Sequence, residues 1–349
     1  MEGYPVRKKN ILSYLCALAR RGGCSRHALA AETGLSLMTV GKISETLIAA
    51  GAVREEKSQS NQVGRRALQV DFHPDRLFLS LSLGRGLLTA SLFRAGGEVL
   101  LRRREVLPAG DAGRLALDDA GSPGGGVPGN TAGSDPAVLT LISDVCEQAM
   151  SYCGLDGLTG AALLLSPEMA CYASVLPAQI EDETGALPQL VSERQAVIQA
   201  CTPLIRTENP YYLLLARRTA GSAGGTGCMG CSLLPDDRCG GICPAGAWRL
   251  SNGRILDDCV LSAVSCAHAL EEILYNLGCS MGIRETVIEL DDGPDRLDGE
   301  KLRRALTAAA GSGMPELRFW DGSAGAPLTG AFLLVRDHWF ERIADGIRI

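Results

Sequence analysis

The chain has 349 residues, of which 46% are hydrophobic and 21% are charged, a composition typical of a folded protein rather than a disordered one. No apolar run reaches the roughly 18 residues that a membrane-spanning helix needs, and the first residues lack the apolar core of a signal peptide. We therefore expect a cytoplasmic protein of two or three domains that does not act at a membrane.

Charge is distributed unevenly along the chain. The first 70 residues contain 11 Lys and Arg against 5 Glu, whereas the whole chain has a net charge of −6. A basic segment joined to an acidic remainder is typical of a protein that binds a polyanion through one end. The pattern predicts that the N-terminal segment, called the head below, contacts a polyanion.

Three helices are predicted in the head. Apolar residues at helical spacing indicate helices over residues 10–20 and 26–33 and from the residue after Ser36 to about 50. A serine precedes both the second and the third helix, and serine is a favourable N-cap residue. Gly34 provides the tight turn between these two helices, because glycine adopts a positive φ at little cost. This order of helices is that of a helix-turn-helix.

A β-hairpin is predicted after the helices, between residues 53 and 70, with a polar loop over residues 55–63. Gly64 lies where the hairpin turns back, and Arg65 and Arg66 follow it. Two arginines beside a glycine can reach phosphates or a narrow minor groove. The hairpin is therefore predicted to be the wing of a winged helix-turn-helix.

The N-terminal part of the third helix is the part that enters the major groove in helix-turn-helix proteins. The residues predicted to face DNA are Ser25, Arg26, Ser36, Met38, Thr39, Lys42, Arg65 and Arg66. The other interpretation is a three-helix interaction module whose basic residues form an ordinary solvated face.

Beyond the head, strands alternate with Gly-rich turns and helices. Strands are predicted over residues 77–100 (a hairpin and a third strand), 158–165, 282–290 and 316–320. Helices are predicted over residues 137–153, 256–277, 297–310 and 330–343. Residues 108–136, rich in Gly, Pro and Ala, are predicted to be a flexible surface insertion.

Several motifs resemble the ROK family, named for repressor, open reading frame and kinase. Ser25-Arg26, Gly34-Leu35-Ser36 and Gly64-Arg65-Arg66 are similar to the DNA-binding head of its repressors, and the likeness continues more weakly beyond it. The resemblance implies an α/β protein: an N-terminal winged helix-turn-helix, then a two-lobed actin-like, sugar-kinase-like (ribonuclease H-like) domain. The implied divisions are 1–71 for the head, 75–192 for the first lobe, 193–325 for the second lobe and 326–349 for a C-terminal helix returning to the first lobe.

The resemblance also implies where the catalytic groups of an active family member would lie. Active members carry Asp-x-Gly where this chain has Ser82-Leu83-Gly84, and a hydroxyl lacks the anionic oxygen that Mg²⁺ prefers. They carry Asn-Asp where this chain has Ser192-Glu193, and the longer glutamate displaces the catalytic carboxylate. We therefore expect no enzymatic activity. The residues expected to line a ligand site are Ser166, Glu168, Ser192 and Glu193.

The 13 cysteines are mostly single residues in apolar segments, which predicts reduced thiols rather than disulfides. Four of them, Cys228, Cys231, Cys239 and Cys243, lie within 16 residues. Four thiolates at this spacing can bind Zn²⁺ tetrahedrally. However, the Gly-His and Cys-x-Cys motifs with which ROK proteins bind zinc are absent from the sequence, so small residues in Gly-rich turns are the other interpretation. We expect no cofactor, with zinc at this cluster as the alternative.

The combined hypothesis is a homodimeric ROK-type transcriptional repressor that binds double-stranded DNA and senses a sugar or sugar phosphate through an inactive kinase-like body. Two alternatives stay open. One is an active sugar kinase with a DNA-binding head, and the other is a ligand-free dimeric DNA-binding scaffold.

Overall fold

The structure, a computed structural model, describes residues 3–57, 68–84, 86–107, 135–154, 157–207, 210–217, 226–232, 243–244, 274–275, 279, 283–290, 304, 308, 314–320 and 322–346. The wing arginines, Cys239, most of the predicted insertion and most of the helices predicted over 256–277 and 297–310 lie outside these residues. Within them, no helix has both the length and the hydropathy needed to cross a membrane.

The head contains the three predicted helices: α1 (Gly3–Arg21), α2 (Arg26–Thr33) and α3 (Leu37–Ala49). The prediction for α1 was wrong at its start, because the helix begins at Gly3 rather than residue 10. Pro5 is tolerated in the first turn, where a backbone N–H has no helical partner to lose. The early turns also pack against the C-terminal helix, and Lys8 forms an ion pair with Asp345 there.

Local caps fix the turn of the helix-turn-helix, as predicted. The Ser25 hydroxyl accepts a hydrogen bond from the backbone N–H of Ala28 at 3.2 Å. Gly34 ends α2 with a φ of +70°, and its N–H donates to the carbonyl of Ala30. The Ser36 hydroxyl accepts from the N–H of Thr39 at 3.2 Å and begins α3. These bonds satisfy backbone groups that helix ends otherwise leave unpaired.

Two antiparallel strands, β1 (Val53–Lys57) and β2 (Leu68–Phe72), form the base of the predicted hairpin. The predicted loop start at residue 55 was wrong, because β1 continues through Lys57, which pairs with Leu68. Cys24 joins this hairpin to the start of α2, since its N–H and carbonyl both bond to the backbone of Val70.

The first sheet of the body contains β3 (Leu77–Gly84), β4 (Leu87–Arg94), β5 (Val99–Val106), β6 (Gly160–Leu165) and β7 (Pro188–Leu190). Their order is β5-β4-β3-β6-β7, with β3 to β5 antiparallel and β6 and β7 parallel to β3. The helices of this part are α4 (Pro136–Met150), a 3₁₀ helix (Pro167–Ser174), α5 (Leu176–Thr184) and α6 (Glu193–Cys201).

The second sheet contains β8 (Pro210–Arg217), β9 (Thr226–Ser232), β10 (Cys243–Pro244), β11 (Glu285–Leu290) and β12 (Glu316–Phe319). Its order, β10-β9-β8-β11-β12, repeats the first sheet strand for strand, and so do the antiparallel and parallel pairings. Two five-stranded mixed sheets of equal topology confirm the predicted two-lobed α/β body.

The C-terminal helix, α7 (Ala326–Gly346), begins at Ala326, four residues before residue 330, where the helical pattern predicted its start. The buried carboxylate of Glu289 explains the earlier start, because it accepts hydrogen bonds from the N–H of Ala326 at 3.0 Å and from the Tyr212 hydroxyl. A carboxylate at a helix N-terminus is stabilised by the helix dipole. Burial and the neighbouring Glu289 raise the pKa of Tyr212 well above its usual value.

Helix α7 connects the parts of the molecule, because it packs on α1 of the head, on α6 and on β3 and β6 of the first sheet. The crossing with α6 is very close: a Cβ added to Gly330 would lie 1.6 Å from the carbonyl oxygen of Ala196. One apolar cluster includes Ile11 and Leu15 of the head, Phe78 of β3 and Phe332 of α7. The core of the head is therefore continuous with that of the body.

Candidate nucleic-acid interface and candidate ligand cleft

Helix α3 has one buried face and one exposed face. Its buried residues are Val40, Ile43, Ser44 and Leu47. The Ser44 hydroxyl hydrogen-bonds at 2.7 Å to the hydroxyl of Tyr14 in α1, which fixes the rotation of α3 about its axis. Burial raises the pKa of Tyr14 to about 12, so this hydroxyl stays protonated at neutral pH. The exposed face contains Met38, Lys42, Glu45 and Ala49.

Apart from Arg26, the predicted DNA-facing residues fall into three groups. Ser25 and Ser36 are helix caps, and the Ser36 and Thr39 hydroxyls also hydrogen-bond to each other at 2.9 Å. Met38 and Lys42 lie on the exposed face of α3, and Met38 is 74% exposed. Arg65 and Arg66 lie outside the described residues. Contact of any of these side chains with DNA stays a prediction.

Arg26 is held within the head by two carboxylates. Its guanidinium lies 2.5 Å from Glu55 of β1 and 3.5 Å from Glu45 of α3, so it bridges α2, α3 and the hairpin. The hydrogen bond to Glu55 raises the pKa of Arg26. Its charge therefore serves the internal packing of the head, a role that the sequence reasoning missed because Glu55 was assigned to a loop.

Other arginines of the head are also paired locally. Arg20 and Arg21 both contact Glu32 of α2, at 3.3 and 2.9 Å, and Arg54 contacts Glu56 at 2.5 Å. The basic excess of the head is thus partly neutralised by its own glutamates. In the part of the head that the structure describes, Lys42 has no ion pair, and it presents its charge on the exposed face of α3.

A crevice lies between the first sheet and α6, and the described residues that line it are Ser82, Gly84, Leu164, Leu165, Ser166 and Glu193. Its volume is about 20 Å³, which is room for about one water molecule. The structure thus brings together three residues singled out from the sequence: Ser82, Ser166 and Glu193. Ser192 is not part of the lining, and the side chain of Glu168 lies outside the described residues.

The wall of the crevice depends on the contact between Gly84 at the end of β3 and Ser166 at the end of β6. A Cβ on Gly84 would lie 2.4 Å from the Ser166 hydroxyl oxygen and 2.5 Å from its Cβ. Only glycine fits at this position without displacing Ser166. The Ser166 hydroxyl is buried and has no hydrogen-bond partner among the described residues.

Ser192 has a structural role that its sequence context could have revealed. Its hydroxyl accepts from the N–H of Gln195 at 3.2 Å, and the Gln195 side chain accepts from the N–H of Ser192 at 3.4 Å. This Ser-x-x-Gln capping box is readable in the sequence as a helix start. It places Glu193 in the first turn of α6, where the helix dipole favours a carboxylate.

The four cysteines of the zinc hypothesis are only partly described. Cys228 and Cys231 are positions of β9 and Cys243 begins β10, while Cys239 lies outside the described residues. Zinc binding at these residues stays the untested alternative to the expectation of no cofactor.

The chain matches no protein-family model and no curated protein. A solved structure described as "the ROK family transcriptional regulator, homolog of E.coli MLC protein" aligns with a TM-score of 0.54 at 16% identity, over 98% of this chain and 100% of that one. A ROK family glucokinase from Streptomyces griseus, in complex with glucose and AMPPNP, aligns with a TM-score of 0.44 at 11% identity, over 74% and 99% of the two chains. A ROK family protein from Streptococcus pneumoniae TIGR4, in complex with sucrose, aligns with a TM-score of 0.40 at 11% identity, over 76% of this chain and 98% of that one.

The first of these likenesses covers 98% of this chain, head and body together, so the chain shares the fold of that regulator. Because the two sequences are only 16% identical, the likeness shows a shared fold and nothing about function.

Proposed function

We propose that the protein is a ROK-type transcriptional regulator that binds double-stranded DNA through its winged helix-turn-helix head. The observation that carries the proposal is the exposed face of α3. Tyr14 and the caps Ser25 and Ser36 orient the helix so that Met38 and Lys42 point away from the protein. This is the face that enters the major groove in helix-turn-helix proteins, and a lysine on it suits the phosphates and the guanine edge.

The test is a selection of duplexes from a random library by the full-length protein at about 150 mM salt, followed by affinity measurements by fluorescence anisotropy. We expect an enriched sequence that binds about a thousandfold more tightly than a scrambled duplex. Two half-sites about 10 base pairs apart, or a multiple of that, would agree with a homodimer. Failure to enrich any sequence, with equal binding of all duplexes, would contradict the proposal.

The body is proposed to sense a sugar or sugar-derived ligand in the crevice at Ser166 and Glu193. The crevice lined by the described residues has room for about one water molecule, and we propose that α6 moves relative to the first sheet when the sugar binds. Helix α6 packs closely on α7, and α7 packs on α1. A ligand that prefers the opened cleft thereby changes the position of the head and shifts the affinity for DNA.

Thermal unfolding with a panel of sugars and sugar phosphates tests this part. A ligand at a hundred times its Kd stabilises the folded state by about 2.7 kcal/mol, and the same ligand should change the affinity for the selected duplex. The Glu193→Gln variant should lose the shift. Glu181→Gln, which changes an exposed glutamate of α5, should keep it. If no sugar or sugar phosphate raises the melting temperature, the result contradicts the sensor proposal and supports a ligand-free DNA-binding scaffold.

We further propose that the body does not phosphorylate sugars. The family resemblance aligns Ser82, which lines the crevice, with the aspartate that helps to hold Mg²⁺ in active members. A hydroxyl is a poor substitute for a carboxylate at that ion. Incubation with Mg-ATP and glucose, N-acetylglucosamine or N-acetylmannosamine should yield no sugar phosphate. Turnover that disappears in the Glu193→Gln variant would instead establish a kinase with a DNA-binding head.

A further inference from the structure

The start of α3 presents two exposed apolar side chains. Met38 is 74% exposed, and its neighbour Leu37 is 44% exposed. Single apolar residues are common on protein surfaces and need no explanation by themselves. These two differ because they are the first two residues of the helix that a helix-turn-helix inserts into the major groove.

The polar groups around Met38 are already engaged. The Ser36 hydroxyl accepts from the N–H of Thr39 at 3.2 Å and shares a hydrogen bond with the Thr39 hydroxyl at 2.9 Å. One hydroxyl proton of Ser36 or Thr39 forms the hydrogen bond between these two side chains, and the Ser36 oxygen also accepts the bond that caps α3. The first turn of α3 therefore presents a methionine side chain, rather than a strong hydrogen-bond donor, at its most exposed point.

An apolar side chain in the major groove can distinguish one base from the others. Thymine alone presents an apolar group there, the C5-methyl group. Methionine is unbranched and polarizable, so its end can adapt to a methyl group held at the groove floor. Lys42 lies one helical turn further on the same face and complements the charge of the neighbouring phosphates.

We propose that Met38, flanked by Leu37, is a specificity-determining residue that recognises thymine through its C5-methyl group. This inference rests on the proposed DNA-binding function and specifies the base that α3 selects. Burial of one methyl group is worth about a fourfold change in affinity, so the contact contributes to the choice of sequence more than to total affinity.

The experiment uses the duplex selected from the random library and the same duplex with deoxyuridine in place of thymidine, which removes only the methyl groups. The full-length protein should bind the deoxyuridine duplex about fourfold more weakly for each contacted thymine. The Met38→Ala variant should bind both duplexes nearly equally, since the partner of the methyl group is gone. Leu187→Ala, which removes an exposed apolar side chain of the body, should keep the difference.

The possible results separate three claims: DNA binding, recognition of thymine and the assignment of that recognition to Met38. Equal binding of both duplexes by the unaltered protein, with sequence preference retained, would overturn the thymine inference and leave the DNA-binding function standing. A fourfold difference that persists in Met38→Ala would overturn the assignment to Met38. A selection that enriches no sequence would remove the proposed function itself. Circular dichroism melts of Met38→Ala should match the unaltered protein, because the side chain has few contacts to lose.

Discussion

The ring of Phe72, the last residue of β2, stacks on the ring of Phe340 in α7, with centroids 5.7 Å apart and planes 8° apart. Both side chains are buried, and Trp339 also contacts Phe72, at 6.3 Å between centroids. The ion pair between Lys8 and Asp345 joins the same two parts of the molecule, but both side chains are partly exposed. Apolar packing is therefore the main connection between the head and the body.

Truncation of the Phe340 ring should destabilise the protein more than loss of the ion pair between Lys8 and Asp345. Phe340→Ala should lower the free energy of unfolding by about 3–5 kcal/mol, and Asp345→Ala by less than about 1 kcal/mol. In the double variant Phe72→Ala/Phe340→Ala the losses should be less than additive, by about 0.5–1.5 kcal/mol. Urea unfolding of Phe72→Ala, Phe340→Ala, Asp345→Ala and the double variant measures these differences. Equal effects of Phe340→Ala and Asp345→Ala would contradict the importance of the packing.

A second prediction concerns Gly84 and Ser166. Gly84→Ala should destabilise the protein by about 1–3 kcal/mol, because the new Cβ would lie 2.5 Å from the Cβ of Ser166. Adding Ser166→Gly should recover part of the loss, since the nearest remaining atom, the Cα of residue 166, is 3.6 Å away. Thermal melts of the two single variants and the double variant test this coupling. A Gly84→Ala protein as stable as the original would show that the strand ends are not constrained.

Lys42 and Arg26 should behave differently, although both are basic residues of the head. Lys42→Ala should weaken DNA binding and reduce the slope of log affinity against log salt by about one, with no change in melting temperature. Arg26→Ala should lower the melting temperature, because Glu55, whose side chain is only 17% exposed, would lose its partner. Anisotropy titrations at several salt concentrations and melts without DNA separate the two roles.

The buried carboxylate of Glu285 predicts a pH dependence of stability. Burial alone would raise its pKa, but hydrogen bonds from the N–H groups of Arg206 and Thr207 and from Arg318 lower the pKa below the ordinary 4.5. A lowered pKa in the folded state stabilises the protein above pH 4.5, and this contribution is lost as the pH falls through the folded pKa.

Glu285→Gln should therefore lower the free energy of unfolding by about 2 kcal/mol at neutral pH, and the difference should shrink below pH 4.5. Urea unfolding across this range measures it. Glu181→Gln, at an exposed position of α5, provides the control and should change little. A difference that is constant across the range would mean that the charge of Glu285 is unimportant.

The sequence predicted those features that depend on neighbours a few residues away. Ser25, Gly34 and Ser36 predicted the turn of the helix-turn-helix, because a cap or a positive φ needs only local backbone geometry. The alternation of strands and helices, together with the family resemblance, predicted the two-lobed α/β body. Errors occurred at element ends, as at residue 10 of α1 and residue 55 of β1, where a distant packing partner extends the element.

The candidate sites were predicted less completely. Ser82, Ser166 and Glu193 were singled out by the resemblance, and the structure places all three on one crevice. The internal pairing of Arg26 with Glu55 was not predicted, because a charge pattern gives the sign of a side chain but not its partner. The exposure of Met38 in the first turn of α3 followed in outline from the helical spacing of the apolar residues around it.

By itself, the sequence determined the helix-turn-helix, the basic head and the class of the body, since propensity, capping and periodicity act over a single turn or strand. Only the tertiary structure decided that the two sheets repeat one strand order, that Gly84 must be glycine because of Ser166, and that Phe72 stacks on Phe340. Those relationships join residues far apart in the chain, and close packing of the folded core selects them.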